Sequence, residues 1–508
     1  MKTDFKKKAE VLFGNENTVN KFPLLNKIIT IYIGITLVFQ ISSLIAPVLT
    51  FLSYTPLYSF KTYLGLIGAG LIAVDLVTNK VLWRGAYCWL MYGIVAISAI
   101  SSLLTFSYGI SKNVFLLCWV VIEIALFYSL SHRLDKKELT RFVYIVYTII
   151  GSIWLVACLI SIAQFVAGIH YAYIVDTMSK DQTYSHQGFA KNRLYGIFNP
   201  INHAAYISLM LILIGVYLII KTNRKPLRIF YGISCFFYLM HLILCVSRSA
   251  LVALFLIIAV VTFLVARNKL NFNKLKKVFI SAVCSLLAVV IAFGCYTVIK
   301  KLSVKLPVLY RSIIHTTHLD SENEEDDMFL EMEDFDEELM LDRDLKNDTS
   351  NGRLGIWSSY ISLYKNIGLF GFSPGNYMPY VKENFPNLYI VEYIKENYPA
   401  KYEADVIYHV HNGYLMVFVS AGFIGIILLL IYLVLCAVRV IKFIFYNEKV
   451  DAQFILLFSI VIAGCVAAFF DRGIFLSDNG QSFIFWIGAG ALLKKISPKS
   501  QKTETQKQ

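Results

Sequence analysis

Charged side chains are scarce in this sequence. Asp, Glu, Lys and Arg make up 16% of the 508 residues, whereas hydrophobic residues make up 57%. A soluble domain of this composition would expose large apolar patches, so the scarcity of charge excludes an ordinary soluble protein. The net charge of +13 does not indicate nucleic-acid binding, because the basic residues cluster in short segments between apolar runs. The composition predicts a polytopic membrane protein.

Cysteine motifs are also missing. The nine cysteines form no CxxC pair and no Cys/His metal spacing, and residues 300–408 contain none. These absences exclude the common zinc patterns and leave no framework for disulfides. We therefore expect no metal site, no disulfide and no cofactor, with the cysteines serving as small packing residues.

The apolar runs are long enough for about twelve transmembrane helices. With the N-terminus in the cytoplasm, the clusters of Lys and Arg all fall on the inner side. No small-residue cleavage site follows the basic N-terminal stretch, so residues 1–26 are predicted to be a cytoplasmic tail, as are residues 495–508. The predicted spans lie near 27–46, 62–78, 86–106, 113–131, 142–168, 201–220, 228–246, 249–266, 278–299, 412–438, 453–470 and 481–494.

Two outer segments interrupt this pattern. The membrane domain, 27–299, contains about nine spans and an outer loop at 169–200, and the last three spans occupy 412–494. Between them lies a large outer loop, 300–411, whose length indicates function or disorder. Its acidic insert, 320–348, is predicted to be mobile and solvated, and its carboxylates match no calcium loop. The aromatic, Gly- and Pro-containing second half predicts a cap of short amphipathic helices.

A histidine pair stands where the large outer loop meets the next span. His409 and His411 can exchange protons near neutral pH, and ionisable residues at a membrane boundary indicate function. We expect His411 to be the reactive or acceptor-orienting group and His409, Asn412 and Tyr414 to support it. Gly422, in a GxxG segment of the same span, predicts close helix packing.

A dense polar box precedes the sixth span. Arg193 opens it, which favours a functional role over that of an interfacial anchor, and Asn202 closes it. Asn199-Pro200 is a turn signal, so helix capping by Asn199 is an alternative to a supporting role in a site.

Three other outer positions carry arginine. Arg248 lies in a very short turn, where anchoring at lipid head groups and a functional role both stay open. Arg353 begins an RxxxW stretch in the large outer loop and is favoured as functional. Asp471-Arg472 is interpreted as a local ion pair.

Taken in order, these motifs resemble the O-antigen ligase and polymerase superfamily. The resemblance covers roughly residues 190–490 and includes the RLYGIFNPIN box, the SRSALVAL turn, GRLGIW, GLFGFSPGNY and HVHNGYL followed by GFIG. It implies an all-α polytopic bacterial enzyme with a GT-C-like architecture, acting at the outer face of the cytoplasmic membrane. The family's histidine and following glycine fall on His411 and Gly422, and its outer arginines on Arg193, Arg353 and, less closely, Arg248. The acidic insert departs from the family pattern.

The resemblance implies a polyprenyl-diphosphate-linked glycan as donor and a sugar hydroxyl on an acceptor glycan as nucleophile. Arginine forks suit phosphate oxygens, and a histidine suits proton removal from the hydroxyl, which predicts metal-independent transfer with inversion. We expect a polymerase for capsule, exopolysaccharide or O-antigen, in the bilayer and assisted by a flippase and a chain-length regulator. A ligase acting on lipid A core or protein is the alternative.

Two other classes of protein fit parts of the sequence. Twelve spans suit a lipid-linked oligosaccharide flippase, but most span centres lack ionisable residues and no half repeat is visible. A membrane scaffold or sensor with an acidic outer domain would need neither the histidines nor the arginines.

Overall fold

The computed structural model describes residues 22–79, 85–176, 182–190, 193–318, 352–403, 405, 409–447 and 450–497. In chain order the elements are α1 (Pro23–Ser42), α2 (Ala46–Ser53), α3 (Phe60–Thr78), α4 (Cys88–Leu104), α5 (Ser111–Ile122, continued by a π-helix at Glu123–Tyr128), α6 (Leu130–Arg133), α7 (Lys136–Ala167), β1 (His170–Asp176), β2 (Gln182–Ala190), β3 (Arg193–Gly196), α8 (Ile201–Lys221), α9 (Lys225–Leu244), α10 (Arg248–Lys269), α11 (Lys274–His318), α12 (Arg353–Ser362), α13 (Tyr364–Ile367), α14 (Tyr377–Asn384), α15 (Tyr389–Asn397), α16 (Pro399–Glu403), α17 (Gly413–Tyr446), α18 (Ala452–Phe470) and α19 (Gly480–Lys495).

The helices confirm an all-α polytopic membrane protein. Every predicted span coincides with a helix, and ten helices within the described residues are long and apolar enough to cross a bilayer. The helices at the other two predicted spans, α4 and α19, have 17 and 16 residues. The predicted count of about twelve spans therefore exceeds the count of full-length spans. Helix α4 ends early because a 3-10 turn and Gly109, with φ of 94°, follow it.

The chain forms two compact units, each drawn from separate parts of the sequence. The first contains residues 22–40, 55–146 and those from 352 onward. In it α4 packs against α17, and α19 packs against α18 and the π-helical end of α5. A buried ion pair ties α3 to α6, with Arg133 Nη2 2.8 Å from Asp75 Oδ2. Arg133 also donates to Ser129 Oγ and to the Ala125 carbonyl.

The helices α12–α16, named here the cap helices, belong to the first unit. Their apolar faces bury Tyr360, Tyr377 and Val391 together with Val410 and Met416, at the start of α17. The prediction of short helices in the second half of the large outer loop is therefore confirmed. Burying one face of each helix stabilises helices that are too short to persist alone.

The second unit contains residues 41–54 and 147–318 of the described chain. Its helices pack mainly as two pairs, α8 with α9 and α10 with α11. The sequence predicted an outer loop at 169–200 and gave no sign of strands, and this segment holds a three-stranded antiparallel sheet in the order β1-β2-β3. The pairing shifts between Gly188 and Phe189, where Gly188 adopts φ of 72°, a conformation that suits a bulge.

The large outer loop begins later than the sequence indicated. Helix α11 continues to His318 instead of ending near residue 299, and it includes Pro307. The predicted end rested on Lys300 and Lys301, which end the apolar run but not the helix, because lysine is a good helix former. The acidic insert 320–348 lies outside the described residues.

Candidate functional site

The site in the first unit is built at the start of α17. Asn412 is the N-cap of this helix, and its side chain accepts a hydrogen bond from Leu415 N at 2.9 Å. This role leaves the preceding His411 outside the helix, with φ of 51°. A left-handed conformation is uncommon for a residue with a Cβ and concentrates at functional sites. His409, two residues earlier, is partly buried.

His411 lies beside the carboxylate of Asp471, which the sequence interpretation paired with Arg472. Its Nδ1 is 3.8 Å from Asp471 Oδ1, and the two side chains are 34% and 16% exposed. Asp471 also accepts a hydrogen bond from its neighbour's backbone, Arg472 N, at 2.7 Å. The predicted ion pair between Asp471 and Arg472 thus did not include the contact of Asp471 with His411. Because the His411 side chain is partly exposed, its imidazole is accessible to a substrate.

Helix α12 braces the histidine segment. Trp357 Nε1 donates to the Val410 carbonyl at 3.1 Å, and its ring packs edge-on against Phe469, with 5.5 Å between ring centroids. Arg353 is the first residue of α12 and lies four residues before Trp357, on the same helix face. The structure therefore brings Arg353 and His411 into one unit, on neighbouring elements.

Gly422 has a role that differs from the predicted helix packing. It interrupts α17 with φ of 64° and ψ of −160°, a region open to glycine only. The turn before the cap helix α14 fits against this break, because Phe423 N donates to the Gly368 carbonyl at 3.0 Å. A Cβ at Gly422 would collide with the Leu369 carbonyl. Gly422, which matches the glycine of the family pattern, therefore allows the backbone of Gly368 and Leu369 to approach α17 closely.

Further charges surround this end of the first unit. Burial acts to raise the pKa of Asp478, yet Lys61, 2.6 Å away, and Arg472 lower it below its ordinary value. Burial raises the pKa of Tyr377 to about 12 despite the opposing effect of Arg472. Sequence reasoning missed Arg472 and Asp471 as parts of this site because their partners lie far away in the chain.

The second unit assembles the predicted polar box. Arg193 Nε donates to the Cys245 carbonyl and Nη2 donates to Asn202 Oδ1, both at 2.9 Å. Ser247 Oγ donates to the same Asn202 oxygen at 3.3 Å, and Arg248 follows it as the first residue of α10. Arg193, Asn202 and Arg248 therefore lie around one turn, which makes this turn a candidate anion site.

Two supporting residues have structural roles. Asn199 does not cap α8 through its side chain, as one interpretation held: the N-cap is Pro200, joined to Asn199 by a cis peptide bond. The backbone N of Asn199 instead donates to the Leu44 carbonyl at 2.8 Å. Tyr414 donates its hydroxyl to the Cys465 carbonyl at 3.0 Å, which joins α17 to α18.

Comparison with known proteins identifies part of the chain. Residues 233–430 match the family model described as O-antigen ligase. This segment is similar to O-antigen ligases. The predicted relationship to the O-antigen ligase and polymerase superfamily is confirmed, and the matched segment includes Arg248, Arg353 and His411. No curated protein and no solved structure shows significant similarity to the chain.

The match supports a polymerase- or ligase-like membrane glycosyltransferase, and the apolar helices support a multi-pass membrane protein. Among the described residues, no group of three His, Cys, Asp or Glu side chains is arranged to hold a metal ion. The nine cysteines are free thiols. Arg193 precedes the matched segment.

Proposed function

We propose that this protein is a polysaccharide polymerase. It transfers glycan from a polyprenyl-diphosphate-linked donor to a sugar hydroxyl of an acceptor glycan, at the outer face of the bacterial cytoplasmic membrane. The observation that carries the proposal is the placement of an accessible His411, within the segment that matches the O-antigen ligase family model, against Asp471, which follows that segment.

In the proposed reaction the acceptor hydroxyl attacks the anomeric carbon of the donor. His411 takes the hydroxyl proton as the new glycosidic bond forms, a role that contributes about 10²–10⁴-fold in rate. The bond from the anomeric carbon to the diphosphate breaks, and its electron pair leaves with the diphosphate oxygen. Attack opposite the leaving group inverts the configuration. Asp471 orients the imidazole and offsets its developing positive charge.

The arginines receive separate roles. The Arg193 guanidinium bonds the Cys245 carbonyl beside the turn that Arg248 follows, and we assign both arginines to the diphosphate of the donor. Planar guanidinium groups remain charged and bind phosphate oxygens in pairs, so they supply the positive charge without a metal ion. Arg353, on the element that braces the histidine segment, is assigned to stabilising the same diphosphate in the transition state, when negative charge develops on it as the leaving group.

The test is extension of the organism's own lipid-linked repeat units by the purified protein in nanodiscs. Wild-type protein is expected to produce a ladder of lipid-linked oligomers, and His411→Ala is expected to lose about 10²-fold or more in rate. His409→Ala is the matched control and should lose much less. Normal extension by His411→Ala would contradict the assignment of the base.

The same assay separates the other activities. A single transfer to lipid A core or protein, without a ladder, would identify a ligase. Movement of lipid-linked units across vesicle bilayers with no new glycosidic bond would identify a flippase.

A further inference from the structure

A second concave site lies in the first unit, away from the histidine segment. It is a cavity of about 640 Å³ between the short connection that follows α4 and the cap helices α14 and α16. It is lined by polar and aromatic side chains together with glycine and proline: Ser107, Tyr108, Gly109, Ser111, Lys112, Asn376, Pro379, Lys382, Glu383, Tyr402 and Asp405. Its volume falls in the range of small-molecule binding sites.

The walls of the cavity are held together across the chain. Gly375 N donates to Asn113 Oδ1 at 2.5 Å, and Ser373 N donates to Ser101 Oγ at 2.7 Å. The Asn376 side chain donates to the Gly109 carbonyl. These bonds attach the turn before α14 to the ends of α4 and α5, so the cavity is formed before any ligand arrives.

Two tyrosines give the cavity aromatic surfaces. Tyr108 packs edge-on against Tyr380, with 5.2 Å between ring centroids, and its hydroxyl accepts a hydrogen bond from Asn384 Nδ2 at 3.0 Å. Tyr402 lies under Lys382, whose Nζ is 4.2 Å from the ring centroid. An aromatic face carries partial negative charge and attracts the weakly positive C–H groups of a pyranose ring.

The charges of the cavity balance. Its two lysines, Lys112 and Lys382, face two carboxylates, Glu383 and Asp405, so the formal sum is zero. Lys382 Nζ donates to Asp405 Oδ1 at 2.7 Å and to the Tyr402 carbonyl at 2.8 Å, which fixes one of the lysines internally. A diphosphate would require excess positive charge, whereas balanced donors and acceptors suit the hydroxyl groups of a glycan.

Helix α14 connects this cavity to the histidine segment. Its first residue, Tyr377, is buried in the same apolar cluster as Val410, which precedes His411, whereas Lys382 and Glu383 near its other end line the cavity. The eight residues of α14 span about 12 Å at 1.5 Å per residue. A glycan in the cavity would thus lie about one short helix from the proposed base.

We propose that this cavity binds the acceptor glycan, several sugar units from the end that reacts. Tyr108 and the face of Tyr402 opposite Lys382 hold pyranose faces, and Glu383, Lys112 and Asn376 contact hydroxyl groups. The assignment of the bound glycan as acceptor rests on the proposed polymerase function, whereas glycan binding by the cavity can be measured without any reaction.

The probe is a repeat-unit oligosaccharide released from the organism's own surface polysaccharide by mild acid, free of lipid and diphosphate. Its Kd for the purified full-length protein in nanodiscs is measured by saturation-transfer NMR titration. Tyr402→Ala is expected to raise the Kd about tenfold, equivalent to about 1.4 kcal/mol. Glu383→Gln, which preserves shape, should raise it by a smaller factor. Tyr364→Ala, an exposed tyrosine on a cap helix that does not line the cavity, should leave it unchanged.

Native Kd values for both cavity variants, or no binding by wild-type protein, would overturn the proposal. His411→Ala, tested for both extension and binding, separates the two proposals. Loss of extension with retained binding supports both. Retained extension contradicts only the catalytic role of His411. The Kd of Tyr402→Ala then decides whether the cavity binds the glycan.

Discussion

The Nδ1 atom of His411 and the Oδ1 atom of Asp471 lie 3.8 Å apart, although the two residues are sixty positions apart in the chain and the helices α17 and α18 lie between them. Helix α17 leads away from His411, and α18 returns to Asp471. A hydrogen bond requires a shorter distance, so in this structure the contact is electrostatic. Catalytic hydrogen bonds often tighten only when substrate binds.

Asp471→Asn should lower kcat for glycan extension by roughly tenfold, less than removal of the base itself, because the imidazole remains but loses its negatively charged neighbour. Asp471→Glu keeps the charge and should recover part of the rate. Both variants should bind the lipid-linked donor with an unchanged KM. An Asn variant with native kcat would show that Asp471 does not assist His411.

Gly422→Ala should destabilise the protein by about 1–3 kcal/mol, because alanine is strained at this φ and ψ and its Cβ would collide with Leu369. Thermal unfolding in detergent, followed by tryptophan fluorescence, measures the change. Gly232→Ala is the matched control in another span, where an added Cβ meets no atom within 4 Å. Equal unfolding temperatures for the two variants would contradict the close approach.

Arg193→Lys should raise the KM for the lipid-linked donor by roughly tenfold, because an ammonium cannot reproduce the guanidinium fork that contacts Cys245 and Asn202. Arg224→Lys, at an exposed position of the same unit, supplies the control. If kcat falls while the donor KM stays native, Arg193 does not bind the ground-state diphosphate.

Asp75→Asn should cost about 3–5 kcal/mol, since it leaves Arg133 buried with an uncompensated charge. Lys495→Gln breaks the far more exposed pair with Asp451 and should cost less than about 1 kcal/mol. Unfolding temperature and yield of folded protein report the difference. Comparable losses in both variants would show that burial does not control the effect.

Lys61→Met should make the stability of the protein less dependent on pH in the acid range. The pKa of Asp478 is below its ordinary value in the folded state, so its stabilising effect is present above that ordinary value and is lost as pH falls through the folded pKa. Without Lys61, burial opposes the ionisation of Asp478, so the folded pKa rises and this acid-dependent part of the stability becomes smaller. The free energy of unfolding, measured at neutral and at acid pH, should therefore fall less on acidification in Lys61→Met than in Lys495→Gln. An equal fall in the two variants would refute the coupling.

Much of the architecture follows from the sequence because crossing a bilayer imposes a strong local rule. Each span must be apolar over about 20 residues, and the pattern of Lys and Arg predicts which loops share a side. Every predicted span therefore coincides with a helix in the structure. The sheet at 170–196 was missed because it occupies a polar connection, where the length and hydropathy of spans give no guidance.

The candidate site was only partly accessible to the same reasoning. The sequence by itself determined the candidates His411, Arg193 and Arg353, through residue type, position at span ends and family resemblance. Only the tertiary structure decided their neighbours: Asp471 beside His411, and Asn202 and the Cys245 carbonyl around Arg193. The physical reason is that span hydrophobicity is a property of contiguous residues, whereas the site depends on which helix ends pack together, and such long-range contacts leave no periodic signal.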